Sequence, residues 1–166
     1  MPNRLGLGGG IAGEIPAKIE ALRQNQPGSY QNIACIRTNA MKYLPNFFKK
    51  GQLEKMFFLY PDPHFKRHKH KRRIISLALL TIYAYVLSPG GRIYTMTDVP
   101  ELAEWMETKM SAHPLFRRSV EKASDEDDIV GLLACGVTEE GKKAAREGRG
   151  STISVFERIS DPPMDE

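Results

Sequence analysis

Apolar side chains recur along this chain with two spacings, one typical of helices and one typical of strands. Ile15, Ile19 and Leu22 share one helical face and predict an amphipathic helix over Ile15–Arg23. Compact apolar runs predict strands over Ile33–Arg37, Lys55–Tyr60, Arg92–Thr97, Leu115–Val120 and Ser151–Arg158. Helical spacing and capping residues predict further helices within Asn39–Phe48 and over Arg72–Leu87, Val99–His113 and Thr138–Glu147.

The order of these elements predicts an α/β fold, because strands and helices alternate and such an order produces a sheet with parallel strands. The last two strands have one helix between them, which favours an antiparallel pair at an edge of the sheet. The polar stretch Glu121–Asp128 is expected to be a loop. We expect one domain over residues 1–166, with an atypical start at 1–18 and a flexible tail at 160–166.

The composition excludes several classes of protein. The 166 residues suffice for one domain with its own core. No run of 18 apolar residues exists, so no transmembrane helix is expected, and the start lacks the apolar core of a secretory signal. Cys35 and Cys135 form no closely spaced pair and are expected to be free thiols. His68 and His70 lie in a run of charge, so no metal site is predicted.

Positive charge is concentrated in one segment of a weakly basic chain. The net charge is +4, yet the eight residues from Lys66 to Arg73 read KRHKHKRR, with six Lys or Arg. Acidic residues collect elsewhere, as in the C-terminal DPPMDE. Such a stripe indicates a surface that binds a polyanion, although a solvated face without a ligand is the alternative.

A glycine run near the start matches the GxGxxG pattern from Gly8 to Gly13 and precedes a helix. The strand before it is no longer than Arg4–Leu7, and the next predicted strand is followed by Thr38 and Asn39 rather than by the acidic residue that binds a ribose. These departures favour a flexible connection over a cofactor loop. They also disfavour a nucleotide-dependent oxidoreductase.

The stretch with the most chemistry is FFLYPDPHFKRHKHKRR, from Phe57 to Arg73. Asp62 follows a predicted strand and lies between two prolines, which push it towards extended geometry. Ligands of α/β sheets bind at this carboxyl edge of the strands. A carboxylate can accept hydrogen bonds from N1 and N2 of guanine, and Phe65 or Tyr60 could stack on a base. In the alternative interpretation, Asp62 caps the following turn and Phe65 belongs to the core.

The same stretch resembles the signature of the tRNA (guanine-N7)-methyltransferases. The resemblance extends from Ile19 to Ile159 and includes YQNIACIR, TNAMKYLPNFFKKGQLEKMFF, IYAYVLSPGGRIYTMTDVPELAEWM, HPLF and TEEGKK. The segment NAMKYLPNFFKKGQL is similar in sequence to the eukaryotic members of the family.

This resemblance implies a Rossmann-like class I methyltransferase sheet with helices on both faces, which binds S-adenosylmethionine. It implies contacts to the adenine side of the cofactor from Asn39 and Ala40, and a cofactor-pocket position at Leu59. Asp62 matches the catalytic aspartate. Thr138 and Glu140 match residues near the methionine end of the cofactor and the tRNA. The matching tRNA-facing residues are His64, Lys66, Arg67, Lys69, Lys71, Arg72 and Arg73.

The implied activity is methyl transfer to N7 of a guanosine in the variable loop of tRNA, in the nucleus and beside a WD-repeat β-propeller subunit. Two family features are not found here: the first, central strand with its DIGCGxGG-type loop, and the acidic residue after the second strand, where this chain has Leu5-Gly6-Leu7 followed by glycines. The chain is therefore predicted to be shortened at its N-terminus. The alternative function is a catalytically impaired relative that binds tRNA or the partner without turnover.

Overall fold

The sheet of the computed structural model is mixed, and most of its strands coincide with the apolar runs of the sequence. The structure describes residues 4–8, 14–119, 129–136 and 138–162. Within them, five strands form one sheet: β1 (Arg4–Gly8), β2 (Leu53–Leu59), β3 (Leu87–Thr97), β4 (Phe116–Ser119) and β5 (Thr152–Arg158). Their order is β1-β2-β3-β5-β4. The first three strands run parallel, whereas β5 is antiparallel to β3 and β4, which confirms the predicted antiparallel pair.

Six α-helices and one 3-10 helix connect these strands in the described part of the chain. They are α1 (Glu14–Asn25), α2 (Ala40–Phe47), the basic 3-10 helix (Arg67–Arg72), α3 (Leu77–Val86), α4 (Pro100–Ala112), α5 (Ile129–Ala134) and α6 (Glu139–Arg146). None of the helices in these residues is both long and apolar enough to cross a membrane.

The core lies on both faces of the sheet, because successive side chains of a strand point in opposite directions. Met56 and Phe58 of β2 belong to a cluster with buried side chains of α2, α3 and α4. Phe57 and Leu59 pack on the other face, against a cluster that contains the buried side chains of α5. Helices therefore cover both faces, as the family resemblance predicts.

The N-terminal strand occupies the side of β2 that β3 leaves free. Its register runs from Arg4 beside Lys55 to Gly8 beside Leu59. Among the described strands, β1 and β4 are therefore the outer ones, whereas β2 lies between two partners. In the glycine run from Gly8 to Gly13, Gly8 belongs to the described part of the chain, and the five residues after it lie outside that part.

The predicted strand Ile33–Arg37 is wrong, because these residues form an irregular segment. Ile33 and Ile36 are exposed rather than packed in a sheet. The guanidinium of Arg23, on α1, donates hydrogen bonds to the carbonyl oxygens of Tyr30 and Ile33 at 3.3 and 2.7 Å. A side chain of α1 thus hydrogen-bonds the backbone of this segment, which pairs with no described strand.

The predicted helix Arg72–Leu87 begins later, at Leu77, because Ser76 caps it by accepting a hydrogen bond from the Leu79 amide at 3.4 Å. The basic residues before it form a separate 3-10 helix. Helix α5 was not predicted, since an apolar run of six residues has no decisive periodicity. The predicted loop Glu121–Asp128 and residues 163–166 of the predicted tail lie outside the described residues.

Candidate functional site

The loop after β2 has an unusual backbone on both sides of Asp62. Tyr60 and His64 have positive φ angles of 51° and 44°, a conformation that costs a side-chain-bearing residue about 1–2 kcal/mol. The Asp62 side chain is 71% exposed. Its Oδ1 accepts a hydrogen bond from the His64 amide at 2.9 Å, so Asp62 does cap the following turn. Its Oδ2 accepts no hydrogen bond from the described residues and remains available to a ligand.

Two contacts fix the start of this loop to the rest of the sheet. The Tyr60 amide donates to the Met96 carbonyl oxygen of β3 at 2.7 Å. The Tyr60 hydroxyl lies 2.9 Å from the hydroxyl of Ser151, just before β5. The loop therefore leaves the carboxyl edge of the sheet in a defined direction, and Asp62 lies where α/β sheets bind their ligands.

The basic 3-10 helix presents its cations to solvent. Lys66, Arg67, Lys71 and Arg72 are exposed, and no ion pair joins them to a carboxylate within the described ranges. Phe65 is 68% exposed, so the interpretation that places it in the core is wrong. An exposed aromatic ring thus lies between an exposed carboxylate and unpaired cations, a combination that suits a base and its phosphates.

Arg73 differs from its basic neighbours, because it is buried, with 1% of its surface exposed. Its guanidinium donates to the carbonyl oxygen of Pro63 at 2.8 Å and to Oε1 of Glu101 at 2.7 Å, and lies 4.7 Å from the ring centre of Trp105. The hydrogen bond from Arg73 lowers the pKa of the Glu101 carboxyl. The prediction that Arg73 faces tRNA is therefore corrected: packing directs this side chain inward, beneath the loop.

A cavity of about 730 Å³ opens beside the same loop, between the carboxyl ends of β2 and β3 and the helices α5 and α6. Its lining includes Tyr60, Met96 and Ile153, together with the charged residues Glu139 and Lys142 and two arginines. This volume is in the range of small-molecule sites, which are commonly about 300–1,000 Å³. The lining of the cavity thus combines apolar and charged side chains.

Helix α6 approaches the loop at Gly141. Thr138 caps the helix as predicted, with its Oγ1 accepting from the Gly141 amide at 3.0 Å. A Cβ on Gly141 would lie 2.9 Å from that Oγ1 and 3.3 Å from the Tyr60 hydroxyl oxygen. Glycine is therefore required here by the close approach of α6 to Tyr60 rather than by its φ angle.

We expect Gly141→Ala to lower the free energy of unfolding by about 1–3 kcal/mol, even though alanine favours a helix over glycine by about 1 kcal/mol. The reason is that displacing the Thr138 cap costs about 1 kcal/mol and the crowding adds about 1–3 kcal/mol. Urea denaturation measures the change. Gly150→Ala is the matched control, because nothing lies within 4 Å of its added Cβ. Equal effects of the two substitutions would contradict the close approach.

The predicted cofactor residues lie in two groups. Asn39 is the N-cap of α2, but its side chain makes no capping hydrogen bond, and Ala40 begins the helix beside it. Leu59 ends β2 next to the last residue of β1. Thr138 and the exposed Glu140 lie at the start of α6, whose neighbouring residues line the cavity. None of these five predicted residues is itself among the residues that line the cavity, although Glu139 and Gly141 beside Thr138 and Glu140 are.

Sequence reasoning missed Asp98 and its partner Arg149. Asp98 directly follows β3, its side chain is 11% exposed, and it forms an ion pair with Arg149, which lines the cavity. The sequence contained a signal for Asp98, because this carboxylate directly follows a predicted strand, just as the loop with Asp62 follows β2. The partnership itself spans more than 50 residues of sequence and could not be read from local pattern.

The chain matches the family described as "Putative methyltransferase" over residues 10–153. Among curated proteins, the tRNA (guanine-N(7)-)-methyltransferase of Mus musculus is 58% identical over 92% of this chain and 56% of its own length. The Homo sapiens protein of the same name is 56% identical over 93% of this chain and 55% of its own length. For tRNA (guanine-N(7)-)-methyltransferase B of Xenopus tropicalis the identity is 56%, over 92% of this chain and 63% of that protein. The chain thus spans about 55–63% of the length of these relatives.

Two solved structures share the fold at low identity. An rRNA methylase from Streptococcus thermophilus superposes with a TM-score of 0.51 at 11% identity, over 95% of this chain and 73% of that one. A SAM-dependent O-methyltransferase from Thermotoga maritima superposes with a TM-score of 0.52 at 11% identity, over 97% of this chain and 60% of that one. The sheet is therefore of the class I, Rossmann-like methyltransferase type, and the chain belongs to the methyltransferase family that its motifs resemble.

Proposed function

We propose that this chain acts as a tRNA (guanine-N7)-methyltransferase, which transfers a methyl group from S-adenosylmethionine to N7 of a guanosine in the variable loop of tRNA. The observation that carries the proposal is the loop after β2, where an exposed carboxylate, Asp62, adjoins the unpaired cations of the basic 3-10 helix. The names of the curated relatives, at 56–58% identity, support the same substrate and reaction.

The chemistry demands positioning more than proton transfer. Guanine N7 carries a lone pair and no proton, so no general base has to act on it. The donor supplies a methyl group on an activated sulfonium. The protein then has to hold N7 in line with that methyl group at near-attack distance, about 3–3.5 Å. Asp62 suits this role, because a carboxylate can accept hydrogen bonds from the N1 and N2 donors of guanine and fix the base in its plane.

The side chains at the predicted cofactor positions are chemically suited to S-adenosylmethionine. Asn39 has an exposed side-chain amide without a capping bond, which suits the edge of an adenine. The exposed carboxylate of Glu140 lies at the start of α6 and suits the ammonium and sulfonium charges, whereas that of Glu139 already pairs with Lys142. Leu59 offers an apolar surface at the end of β2. We propose that these residues and Ala40 hold the cofactor, with Thr138 ordering the start of α6.

The proposal is tested by titrating the protein calorimetrically with S-adenosylmethionine and by following methyl transfer to tRNA. The transfer assay is run with and without a WD-repeat β-propeller subunit, the partner that the resemblance implies. Cofactor binding together with transfer in either condition supports the proposal. Binding of tRNA without transfer in both conditions would instead support the alternative, a catalytically impaired relative. The absence of both cofactor binding and tRNA binding would contradict both functions.

We expect Arg67→Gln with Lys71→Gln to weaken tRNA binding and to reduce its dependence on salt. Each lost phosphate contact lowers the slope of log affinity against log salt by about 1. Filter binding at several salt concentrations measures this slope. The control is Lys49→Gln with Arg117→Gln, which removes the same charges near the amino ends of β2 and β4, at the opposite edge of the sheet. Equal losses in the two double variants would mean that binding follows net charge alone.

By family resemblance we also propose the nucleus as the location and a heterodimer with the WD-repeat subunit. Microscopy of a fluorescent fusion and co-purification with that subunit test the two statements. A fusion confined to the cytoplasm, or a chain that never co-purifies with the subunit, would contradict them.

A further inference from the structure

We propose that Arg73 is a positioning residue for Asp62: with Glu101 and Trp105 it forms a buried clamp beneath the loop and fixes the direction of the catalytic carboxylate. The inference deepens the proposed function and rests on it for the meaning of Asp62. It assigns Arg73 a role distinct from that of the adjacent exposed cations.

The loop needs such a clamp, because its own backbone supplies few anchors. Pro61 and Pro63 have no amide hydrogen, so neither can donate to a neighbouring strand. Two residues with positive φ angles flank them, and that geometry persists only where surrounding contacts hold it. The Pro63 carbonyl accepts the Arg73 Nε–H at 2.8 Å. That carbonyl belongs to the residue directly after Asp62, so the clamp acts one residue from the carboxylate.

Arg73 is itself held from three directions. Its Nη2 donates to Glu101 Oε1 at 2.7 Å and lies 3.0 Å from Nε2 of His70. The flat guanidinium lies 4.7 Å from the ring centre of Trp105, and the Trp105 indole donates to the Ile75 carbonyl oxygen at 2.9 Å. Glu101 and Trp105 both belong to α4, which packs on the sheet. The clamp therefore connects the Asp62 loop to a helix that begins just after β3.

Arginine suits this position better than lysine does, although Nη1 of Arg73 is buried without a hydrogen-bond partner among the described residues. A guanidinium has a planar fork of donors, which here contacts a carbonyl, a carboxylate and a histidine ring, while its central carbon lies over an indole ring. A lysine ammonium keeps the charge, but it lacks the planar surface and the separate N–H groups that reach different partners. Arg73→Lys therefore separates the two possible roles: tRNA electrostatics would survive the change, whereas positioning of the loop would not.

The test measures hydrogen exchange of the His64 amide by NMR, since this amide donates to Asp62 Oδ1. In Arg73→Lys we expect the amide to exchange at least tenfold faster, while the amides of β2 are unchanged. Glu101→Gln alters the exposed end of the clamp and should accelerate exchange of the His64 amide by a smaller factor. This second variant keeps the test informative if Arg73→Lys fails to fold. Arg117→Lys, which alters an exposed ion pair with Glu157 on β4 and β5, is the control and should leave His64 unaffected.

The matching kinetic expectation is a tenfold or greater loss of kcat in Arg73→Lys, with an unchanged salt slope for tRNA binding. Unaltered exchange at His64 in both folded clamp variants would overturn the inference. A lowered salt slope for tRNA binding together with normal exchange of the His64 amide would also overturn the inference. It would mean that Arg73 contacts tRNA instead. Exchange is measured without turnover, so a wild-type protein that transfers no methyl group would contradict the proposed function while the clamp is still judged by His64.

Discussion

Asp62→Asn is expected to lower the turnover of methyl transfer by about 100-fold, because misplacing a reacting group by about 1 Å can cost that much. Asparagine keeps the size of the side chain, and its oxygen can still accept the His64 amide, so the turn is retained. Its NH₂ group presents donors where the guanine edge also presents donors, and the negative charge is lost. The measurement is kcat at saturating tRNA and saturating methyl donor.

The control for this variant is Glu104→Gln, which neutralises an exposed carboxylate on α4 that forms no ion pair among the described residues. It should retain wild-type turnover. Binding of tRNA to Asp62→Asn should keep its salt dependence, since the basic 3-10 helix is untouched. Wild-type turnover in Asp62→Asn would remove Asp62 from the catalytic site, whatever the effect on affinity.

Phe58→Ala is expected to lower the free energy of unfolding by about 3–5 kcal/mol. Phe58 is fully buried on β2, and its ring centre lies 5.0 Å from that of Tyr83 on α3. Truncation removes this contact and leaves a cavity between the sheet and its helix layer. The loss is a large fraction of the 5–15 kcal/mol by which proteins of this kind are typically stable. Urea or thermal denaturation followed by circular dichroism measures it.

Phe65→Ala is the matched control, because it makes the same substitution seven residues later on an exposed side chain. It should change the free energy of unfolding by less than about 0.5 kcal/mol. The two variants together separate a phenylalanine that stabilises the sheet from one that is available to a ligand. Similar losses of stability in both would show that Phe65 packs more tightly than its exposure indicates.

Local pattern was sufficient wherever a signal lay within a few residues. The alternation along β2, the strand at Arg92–Thr97 and the Thr138 cap all depend on neighbours in sequence, and the structure contains each of them. The position of Asp62 followed from a general rule about the carboxyl ends of strands. Pattern was insufficient for the segment Ile33–Arg37, because an apolar run becomes a strand only if another strand pairs with it.

Distant contacts decided what pattern could not. Eight consecutive residues share one basic composition, yet Arg73 is the one among them that is fully buried, since Glu101 and Trp105 approach it from α4 across about 30 residues of sequence. The Asp98–Arg149 ion pair and the close approach of Gly141 to Tyr60 are of the same kind. No periodicity encodes such pairs, because they depend on how helices and loops pack on the finished sheet.

The sequence by itself determined the family, the α/β class and the loop that carries Asp62, because sequence motifs and short-range periodicity depend on neighbouring residues. Only the tertiary structure decided which cations remain free, which one is buried beneath the loop, and where a cavity opens beside it. It also decided that the N-terminal strand lies against β2. These outcomes depend on burial and pairing between segments far apart in the chain, and burial determines whether a charged side chain binds a ligand or supports the fold.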